Sequence, residues 1–401
     1  CEKCGIIPVP EKELPVELPY KVKFGKGNPL ATAENWIKTK CPKCNGKARR
    51  ETDTMDTFVN SSWYYLRYCD SKNDKKIFDT KKAEYWTPID MYIGGKEHAC
   101  MHDIYIRFYT KFLRDIGLIK IDEPAVRLFV QGMVHGEDGN KMSKSLGNVV
   151  DPLDAIEKYS ADALRLFLVS VASPDSDFNW SDNGIQGSFK FVVKLFDFIQ
   201  KLKIRKSSAR IESKLNKAIK EISLDIENFR YNLAVIKIRG LLDVFEEEKE
   251  ISKKDLESFL KLISVFCPHL AEELWWMVSL SDKSDKNSRF ADKSSKGFIS
   301  LSKWPVADEK KIDENLEKQE QMIENLISDI RNILKILENK NEKKERIKIF
   351  VIPNELKVYE NADKKIEQVF NMKTEILSIA DAHKTGKTIK AKPGKPGLLM
   401  E

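Results

Sequence analysis

The sequence predicts an α/β protein: the C-terminal half of a parallel, doubly wound sheet domain, preceded by a cysteine-stapled segment and followed by a helical bundle and a small α/β module. Three observations predict it. Over 51–185, short apolar runs closed by glycine alternate with helical apolar spacing, the pattern of strand–helix–strand units. Over 186–306 the apolar residues recur only at helical spacing. Over 1–50 two Cys-x-x-Cys pairs stand in a proline-rich stretch without periodicity. Together with 307–401, these spans are the expected domains.

Residues 1–50 contain Pro8, Pro10, Pro15, Pro19 and Pro29 and need a staple to keep one shape. Cys1/Cys4 and Cys41/Cys44 each offer two thiolates from a tight turn, and four thiolates complete a closed tetrahedral zinc shell. The 36-residue gap between the pairs is tolerable because loop-closure entropy grows only logarithmically. A redox role is the weaker reading, since Gly5, Pro42 and Gly46 mark knuckles rather than a thioredoxin-type turn. The zinc is therefore expected to be structural.

Asp90–Ile93 reads as a short strand ending at Gly94-Gly95. A helix is expected from about Glu97 to Asp115, with Ile104, Phe108 and Phe112 as its apolar stripe. Leu128-Phe129-Val130 reads as a buried strand. Asp151-Pro152, a cap followed by proline at the first helical position, opens a helix through Ala155, Ile156 and Tyr159. Ala163–Val171 continues helical. Three stripes are expected to form the bundle core: Phe189, Val192, Val193, Phe196 and Ile199; Leu233, Ile236, Ile238, Leu241 and Leu242; Leu256, Phe259, Leu260 and Ile263. Pro268 opens a further helix with Leu270, Leu274, Trp275 and Val278. Such stripes argue packing and nothing chemical. Residues 281–297, rich in Ser, Lys and Asp, read as a mobile surface loop. A long charged helix from 307 through Ile336, a strand over Arg346–Ile352, a helix near Ala362–Phe370 and strands near Ile376–Ala380 and Ile389–Leu399 make the last module.

Composition narrows the class. With 69 basic and 62 acidic residues the net charge is +7, which permits a polyanionic partner without demanding one; solvated helix surfaces account for most of the lysines. No apolar run approaches the roughly 20 residues needed to cross a bilayer, and no signal-peptide pattern opens the chain. Residue 1 is Cys1 rather than methionine, which suggests a processed, split or truncated product. The seven cysteines are an odd number, against a secreted disulfide framework. Cys69, Cys100 and Cys267 are expected to be ordinary buried thiols of a reducing cytoplasm.

The sharpest chemical signal is Lys141-Met142-Ser143-Lys144-Ser145, in a loop with Gly132, Gly136, Gly139 and Gly147. Two ammonium groups three residues apart can close over a triphosphate and stabilise the charge that develops as pyrophosphate departs. A solvated basic turn is the bland alternative; the loop's place after a strand and before a capped helix weakens it. Extended to Asn148, this run resembles the nucleotide loop of class I aminoacyl-tRNA synthetases. Glu51–Arg67 and Tyr92–His102 resemble segments characteristic of the leucine-specific family. Pro268–Trp275 resembles a helix in the anticodon-binding-type bundle of the Leu/Ile/Val group. The resemblance spans about 1–305, and the last module is similar, more loosely, to the family's C-terminal extension.

The resemblance implies a leucine–tRNA ligase portion using ATP with Mg2+, leucine and tRNA(Leu), with structural Zn2+. Lys141 and Lys144 would be the catalytic cations. Gly94, Gly95 and Glu97 would hold the ribose and adenine side of ATP, with Gln131, Met133 and Met142 near adenine and Ser143 and Ser145 as donors. Phe58, Ser61, Tyr64, His98 and His102 would line the amino-acid pocket, where an aromatic wall buries a branched side chain at ~1.5–3 kcal/mol. His98 and His102, four apart, are expected on one helix face. The competing readings are plain core aromatics for Phe58 and Tyr64, and a helix-dipole role for Glu97. Two positions depart from the family: Asn60 stands for aspartate and Lys96 for an apolar residue. A His-x-Gly-His signature and a threonine-rich editing domain are missing, and His135-Gly136-Glu137 does not supply the former. The chain is therefore expected to need an N-terminal half, in cis or in trans, to activate leucine. Valine and isoleucine enzymes carry Trp-Phe-Ser-Ser-Gly where this chain has Phe58–Trp63, and the methionine enzyme lacks the His98/His102 segment. A non-catalytic tRNA-binding accessory protein is the alternative from another class; the intact Lys141–Ser145 loop argues against it.

Overall fold

The structure is a computed structural model describing residues 1–280, 297–339, 344–360, 362–385 and 389–401. Residues 281–296 of the expected surface loop lie outside the described residues. The chain divides into two compact units, Cys1–Gly132 and Met133–Glu401. No helix among the described residues is long and apolar enough to cross a membrane.

In the first unit α1 (Glu34–Ile37) leads into an antiparallel hairpin of β1 (Lys38–Lys40) and β2 (Lys47–Arg49). There follow α2 (Thr57–Ser61), α3 (Tyr64–Tyr68), α4 (Thr80–Trp86), β3 (Tyr92–Gly95), a 3-10 turn (Lys96–Cys100), α5 (His102–Asp115) and β4 (Leu128–Gln131). The Asp56 carboxylate accepts from Phe58 N–H to start α2, and Asp79 accepts from Lys82 N–H to start α4. β3 and β4 pair in parallel, Tyr92 opposite Leu128 and Gly95 opposite Gln131, which is the predicted strand–helix–strand crossover. Tyr65, Leu66, Phe78, Ala83, Ile106, Leu113 and Ile119 form its core.

Several expectations are corrected here. The helix does not run from Glu97: Met101, at φ −129° and ψ −102°, separates the 3-10 turn from α5. The face of α5 is also different. Ile106, Thr110 and Leu113 point inward, while Ile104, Phe108 and Phe112 are 57%, 64% and 46% exposed. Thr110 can be buried because its hydroxyl lies 2.8 Å from Tyr65 Oη and donates to Ile106 O at 2.7 Å. Leu128 and Val130 of the expected buried strand are exposed. Cys100 is exposed and Cys69 half-buried, so of the three single cysteines only Cys267 is a buried thiol.

The second unit contains β5 (Val134–His135), α6 (Pro152–Tyr159), α7 (Ala161–Ser170), β6 (Phe178–Asn179), α8 (Asp182–Lys201), β7 (Lys203–Ile204), α9 (Ala209–Glu227), α10 (Tyr231–Glu248), β8 (Glu250–Ile251), α11 (Lys253–Ser264) and α12 (Pro268–Leu280). β5 pairs with β6 and β7 with β8, both in parallel. The Asp151 carboxylate accepts from Leu153 N–H, the predicted cap of α6. Helices α8–α12 enclose the main core around Leu195, Ile222, Ile238, Phe245, Phe259 and Leu274. The stripe on α11 is buried as expected, but Val193, Leu233 and Ile236 are exposed, and Ile185, Ser188 and Phe191 face inward on α8. The buried Asp162 carboxylate on α7 caps α12: Oδ2 accepts from Leu270 N–H at 2.6 Å, and Oδ1 lies 2.8 Å from His269 Nδ1. Arg165 donates to the carbonyls of Val265 and Phe266, so α7 clasps the turn between α11 and α12.

The last module comprises α13 (Glu314–Asn339), β9 (Arg346–Val351), α14 (Ala362–Phe370), β10 (Lys373–Ser378) and β11 (Gly397–Met400). β9 is central, parallel to β10 and antiparallel to β11. The helix expected from 307 begins at Glu314, and the last two strands begin at Lys373 and Gly397. This module has its own core of Leu326, Ile330, Ile347, Ile349, Val351, Tyr359 and Ile366, and that core shares no described residue with the bundle core. The start of α13 meets α9 through charges instead. Glu317 lies 2.9 Å from Lys214 and 2.7 Å from Lys217, and Glu320 engages Arg210 and Lys214.

Burial alone would push the Glu320 carboxyl up. The Lys214 and Arg210 bonds outweigh it and hold the group below its ordinary value of 4.5. A depressed carboxylate contributes stability above its unfolded pKa, and that contribution is lost as pH falls through the folded one. Replacing Glu320 with Gln at neutral pH should weaken docking by about 1–2 kcal/mol. Hydrogen exchange should then accelerate roughly tenfold over 314–321 and stay constant in β9. Unchanged exchange over 314–321 would show that these charges do not hold α13.

Candidate functional site

The two cysteine pairs sit on matched turns. Gly5 N–H donates to Cys1 O at 3.0 Å and Asn45 N–H to Cys41 O at 2.8 Å. Both closing residues are left-handed, Gly5 at φ +72° and Asn45 at φ +56°, a conformation glycine and asparagine tolerate best. Lys43 N–H points at Cys41 Sγ at 3.4 Å. All four sulfur atoms lie within 4.8 Å of one another. The Cys4 thiol is pushed up to about 11, chiefly by Cys44 beside it. Cys41 is drawn down by the backbone N–H of Cys44 and then of Lys43, against burial. Four sulfur donors this close fit a closed tetrahedral cation site.

A second cluster forms where α2 and α3 meet β3 and the start of α5. Ser61 Oγ donates to Phe58 O at 3.1 Å and lies 3.2 Å from His102 Nδ1. His102 Nε2 is 2.7 Å from Tyr92 Oη, which is 3.0 Å from Tyr64 Oη. The Phe58 ring stands 6.2 Å from that of His98, edge-on, and 6.3 Å from that of His102. His98 Nδ1 is buried without a hydrogen-bond partner among the described residues. Burial, and then the neighbouring His98, lower the His102 pKa against the pull of Asp103, so the imidazole is neutral near pH 7.

The five residues read from the sequence, Phe58, Ser61, Tyr64, His98 and His102, thus converge. His98 and His102 do so differently from expectation. They do not share a helix face, because His98 lies in the 3-10 turn before the break at Met101, yet their rings are 6.1 Å apart. Sequence reasoning missed Tyr92 and Tyr105, the latter with its ring 5.9 Å from Phe58. The only available signal for Tyr92 was its place two residues before Gly94. Gly94 and Gly95 end β3, and Glu97 folds back so that a Cβ on Gly95 would meet its Oε2 at 2.5 Å. Gln131 ends β4 opposite Gly95.

In the second unit the lysine loop has an ordered base. His135 and Lys141 bridge antiparallel, and Gly136 N–H donates to Asn140 O at 2.9 Å. Asn148 Nδ2 reaches both oxygens of Asp138 at 3.3 Å, and its Oδ1 accepts from Ser143 N–H at 2.8 Å. A Cβ on Gly136 would meet Asp138 Oδ1 at 2.6 Å, so a side chain there would displace that carboxylate. The Asp138 carboxyl is held below its ordinary value, first by Asn140. Ser143 Oγ lies 2.7 Å from Ser145 Oγ. Met142 packs against the small core of Ala155, Leu164, Phe167, Trp180 and Ile185, and Met133 N–H donates to Asp177. Lys141 and Lys144 are exposed and make no ion pair among the described residues. The loop thus presents two unneutralised ammonium groups on a braced turn.

Residues 21–181 match the family model of class I tRNA synthetases (I, L, M and V), and 209–349 match that of the anticodon-binding domain of tRNA ligases. The chain is 46% identical over 303 residues to the leucine–tRNA ligase of Thermosipho melanesiensis, covering 69% of this chain and 36% of that protein. It is 41% identical over 350 residues to that of Petrotoga mobilis, covering 80% and 40%. It is also similar to the Agrobacterium radiobacter K84 LeuRS solved in a ternary complex with tRNA and LeuAMS, at a TM-score of 0.66 and 34% identity over 78% of this chain and 41% of that one. The chain therefore spans well under half the length of the relatives it matches. Two family models in succession, with leucine enzymes as the relatives, show the family: the chain belongs to the class I tRNA synthetases and, within them, to the leucine–tRNA ligases.

Proposed function

We propose that this chain supplies the amino-acid pocket, the nucleotide loop and the anticodon-binding-type bundle of a leucine–tRNA ligase acting on leucine, ATP and tRNA(Leu). The observation that carries the reading is the aromatic and imidazole cluster around His102 in a chain related to leucine enzymes. Phe58, Tyr64, His98 and His102, with Ser61, offer a branched aliphatic side chain apolar edges and a neutral imidazole rather than a charge. Gly94 leaves open backbone for a nucleotide to approach, and by the family resemblance Gly95 and Glu97 serve the ribose and adenine side of ATP, with Gln131, Met133 and Met142 as the adenine contacts.

A leucine carboxylate oxygen attacks the α-phosphorus of ATP, and the bond to the pyrophosphate oxygen breaks. The terminal ribose hydroxyl of the tRNA then attacks the leucyl carbonyl and AMP leaves. Lys141 and Lys144 stabilise the negative charge that accumulates on the departing pyrophosphate, with Ser143 and Ser145 as further donors. Mg2+ accompanies the nucleotide's phosphates. Cys1, Cys4, Cys41 and Cys44 hold a structural zinc ion that gives the proline-rich segment its shape.

Ile104, Phe108 and Phe112 on α5, and Leu128 and Val130 on β4, are exposed apolar side chains of the kind that a larger sheet domain covers. The partner proposed for them is the N-terminal half of the catalytic fold, in cis or in trans. The accessory-protein reading is not favoured, since a pure RNA binder has no use for the His102 cluster or for two unpaired lysines on a braced loop.

Leucine-dependent ATP–pyrophosphate exchange is expected from this chain together with the N-terminal half and not from the chain alone. In the assembled enzyme Lys144→Ala should lower kcat on the order of 100-fold or more with little change in the KM for leucine. An unaltered kcat would remove Lys144 from the reaction. The chain purified under reducing conditions should hold one zinc ion, read by native mass spectrometry. Cys41→Ser should release it and expose 1–50 to proteolysis; full zinc retention by that variant would refute the four-cysteine shell.

A further inference from the structure

The hydroxyl–imidazole chain around His102 has a direction, which the donor inventory decides. Phe58 O only accepts, so Ser61 Oγ–H can be spent on it at 3.1 Å. The 3.2 Å contact between Ser61 Oγ and His102 Nδ1 is then made by an N–H on Nδ1. Nε2 is left as the acceptor, and Tyr92 Oη, 2.7 Å away, donates to it. Tyr92 Oη in turn accepts from Tyr64 Oη–H at 3.0 Å. Every proton in this order has a partner, and four hydrogen bonds form. In the reverse order Ser61 donates to Nδ1, Nε2–H donates to Tyr92, and Tyr92 donates to Tyr64. Only three bonds form, and the Tyr64 proton has no acceptor among the described residues.

We infer that Tyr92 is a positioning residue of this pocket, donating its hydroxyl proton to His102 Nε2 and so holding the imidazole as the neutral Nδ1–H tautomer with its plane fixed between Ser61 and Tyr92. The consequence for recognition rests on the leucine reading above. With both nitrogens engaged, His102 turns only carbon and ring face toward the Phe58 side, an apolar wall for a side chain without hydrogen-bonding groups. A substrate bearing a hydroxyl there finds neither donor nor acceptor free on this ring, and that favours leucine over polar side chains of similar size. Asp103 and His98 are the charged or titratable neighbours that act on His102 from its own segment, and Tyr64 and Tyr92 those from α3 and β3. Among the described residues no carboxylate is hydrogen-bonded to the ring, so a hydroxyl supplies the orientation that an acid often supplies elsewhere.

The chain has five histidines, few enough to assign by substitution. Nitrogen-15 labelling of the histidines in the full chain, read at about pH 8 where imidazole is neutral, reports which ring nitrogen of His102 carries the proton. The expected result is a dominant Nδ1–H form, the reverse of the preference of a free histidine side chain. Tyr92→Phe should shift the tautomer ratio roughly tenfold toward Nε2–H, the loss of about one hydrogen bond, while Tyr64→Phe, which leaves Tyr92 in place, should shift it less. A dominant Nε2–H form in the parent chain overturns the inference, as does a ratio that Tyr92→Phe leaves unchanged in a folded protein. A pocket that shows the Nδ1–H form yet takes no leucine in the assembled enzyme counts against the leucine reading and leaves the role of Tyr92 standing.

Discussion

The hydrogen bonds of His102 tie together the segments that make the aromatic cluster of the first unit. Ser61 comes from α2, Tyr64 from α3, Tyr92 from β3 and His102 from the first turn of α5. α2 and α3 have only five residues each and β3 four, too few to hold a conformation on their own. Their order comes from what they share. A neutral imidazole half-buried among aromatic rings needs both nitrogens satisfied, because an orphaned polar atom there costs about 1–3 kcal/mol. Satisfying them places Phe58 beside both imidazoles as a by-product. The proposed recognition surface and the folding constraint are the same set of contacts.

The second unit solves a related problem with backbone groups. The lysine loop must keep two like charges close without pairing them, so its shape is set by neutral and anionic groups underneath. Asn148 spans Asp138 and Ser143, and the Asp138 carboxylate lies over Gly136 where a Cβ would displace it. Beyond the loop, Asp162 and Arg165 fasten α7 to the α11–α12 turn by satisfying helix-terminal N–H and C=O groups. The same helix that follows the loop through α6 therefore belongs to the frame of the bundle. Further on, α13 is attached by carboxylate–cation pairs, while its own module has a separate apolar core. Ion pairs of this half-buried kind orient an element without fusing two cores.

Most of the chemistry is legible in short runs of sequence. The cysteine spacing carries the four-sulfur cluster because each turn supplies two sulfur atoms locally. The lysine loop and the Asp151-Pro152 cap are likewise local patterns, and the α11 stripe packs as its periodicity predicts. Sequence and structure part wherever two answers have equal local merit. On α5, Ile104/Phe108/Phe112 and Ile106/Thr110/Leu113 are both helical stripes, and the one containing a threonine is buried because Tyr65 can pair with its hydroxyl. On α10, Ile236 looks no different from Ile238 and lies on the exposed side.

The sequence by itself determined the kinds of group present, their local spacing and the family to which they belong, because turns, caps and knuckles are decided within a few residues. Which face of each helix is buried, the break at Met101 that brings His98 and His102 together from different elements, and the entry of Tyr92 into the pocket were decided only in the tertiary structure. Each of these depends on a partner distant in the chain, 41 positions away for Ser61 and His102 and 28 for Tyr64 and Tyr92. Periodicity within one segment contains no information about such partners.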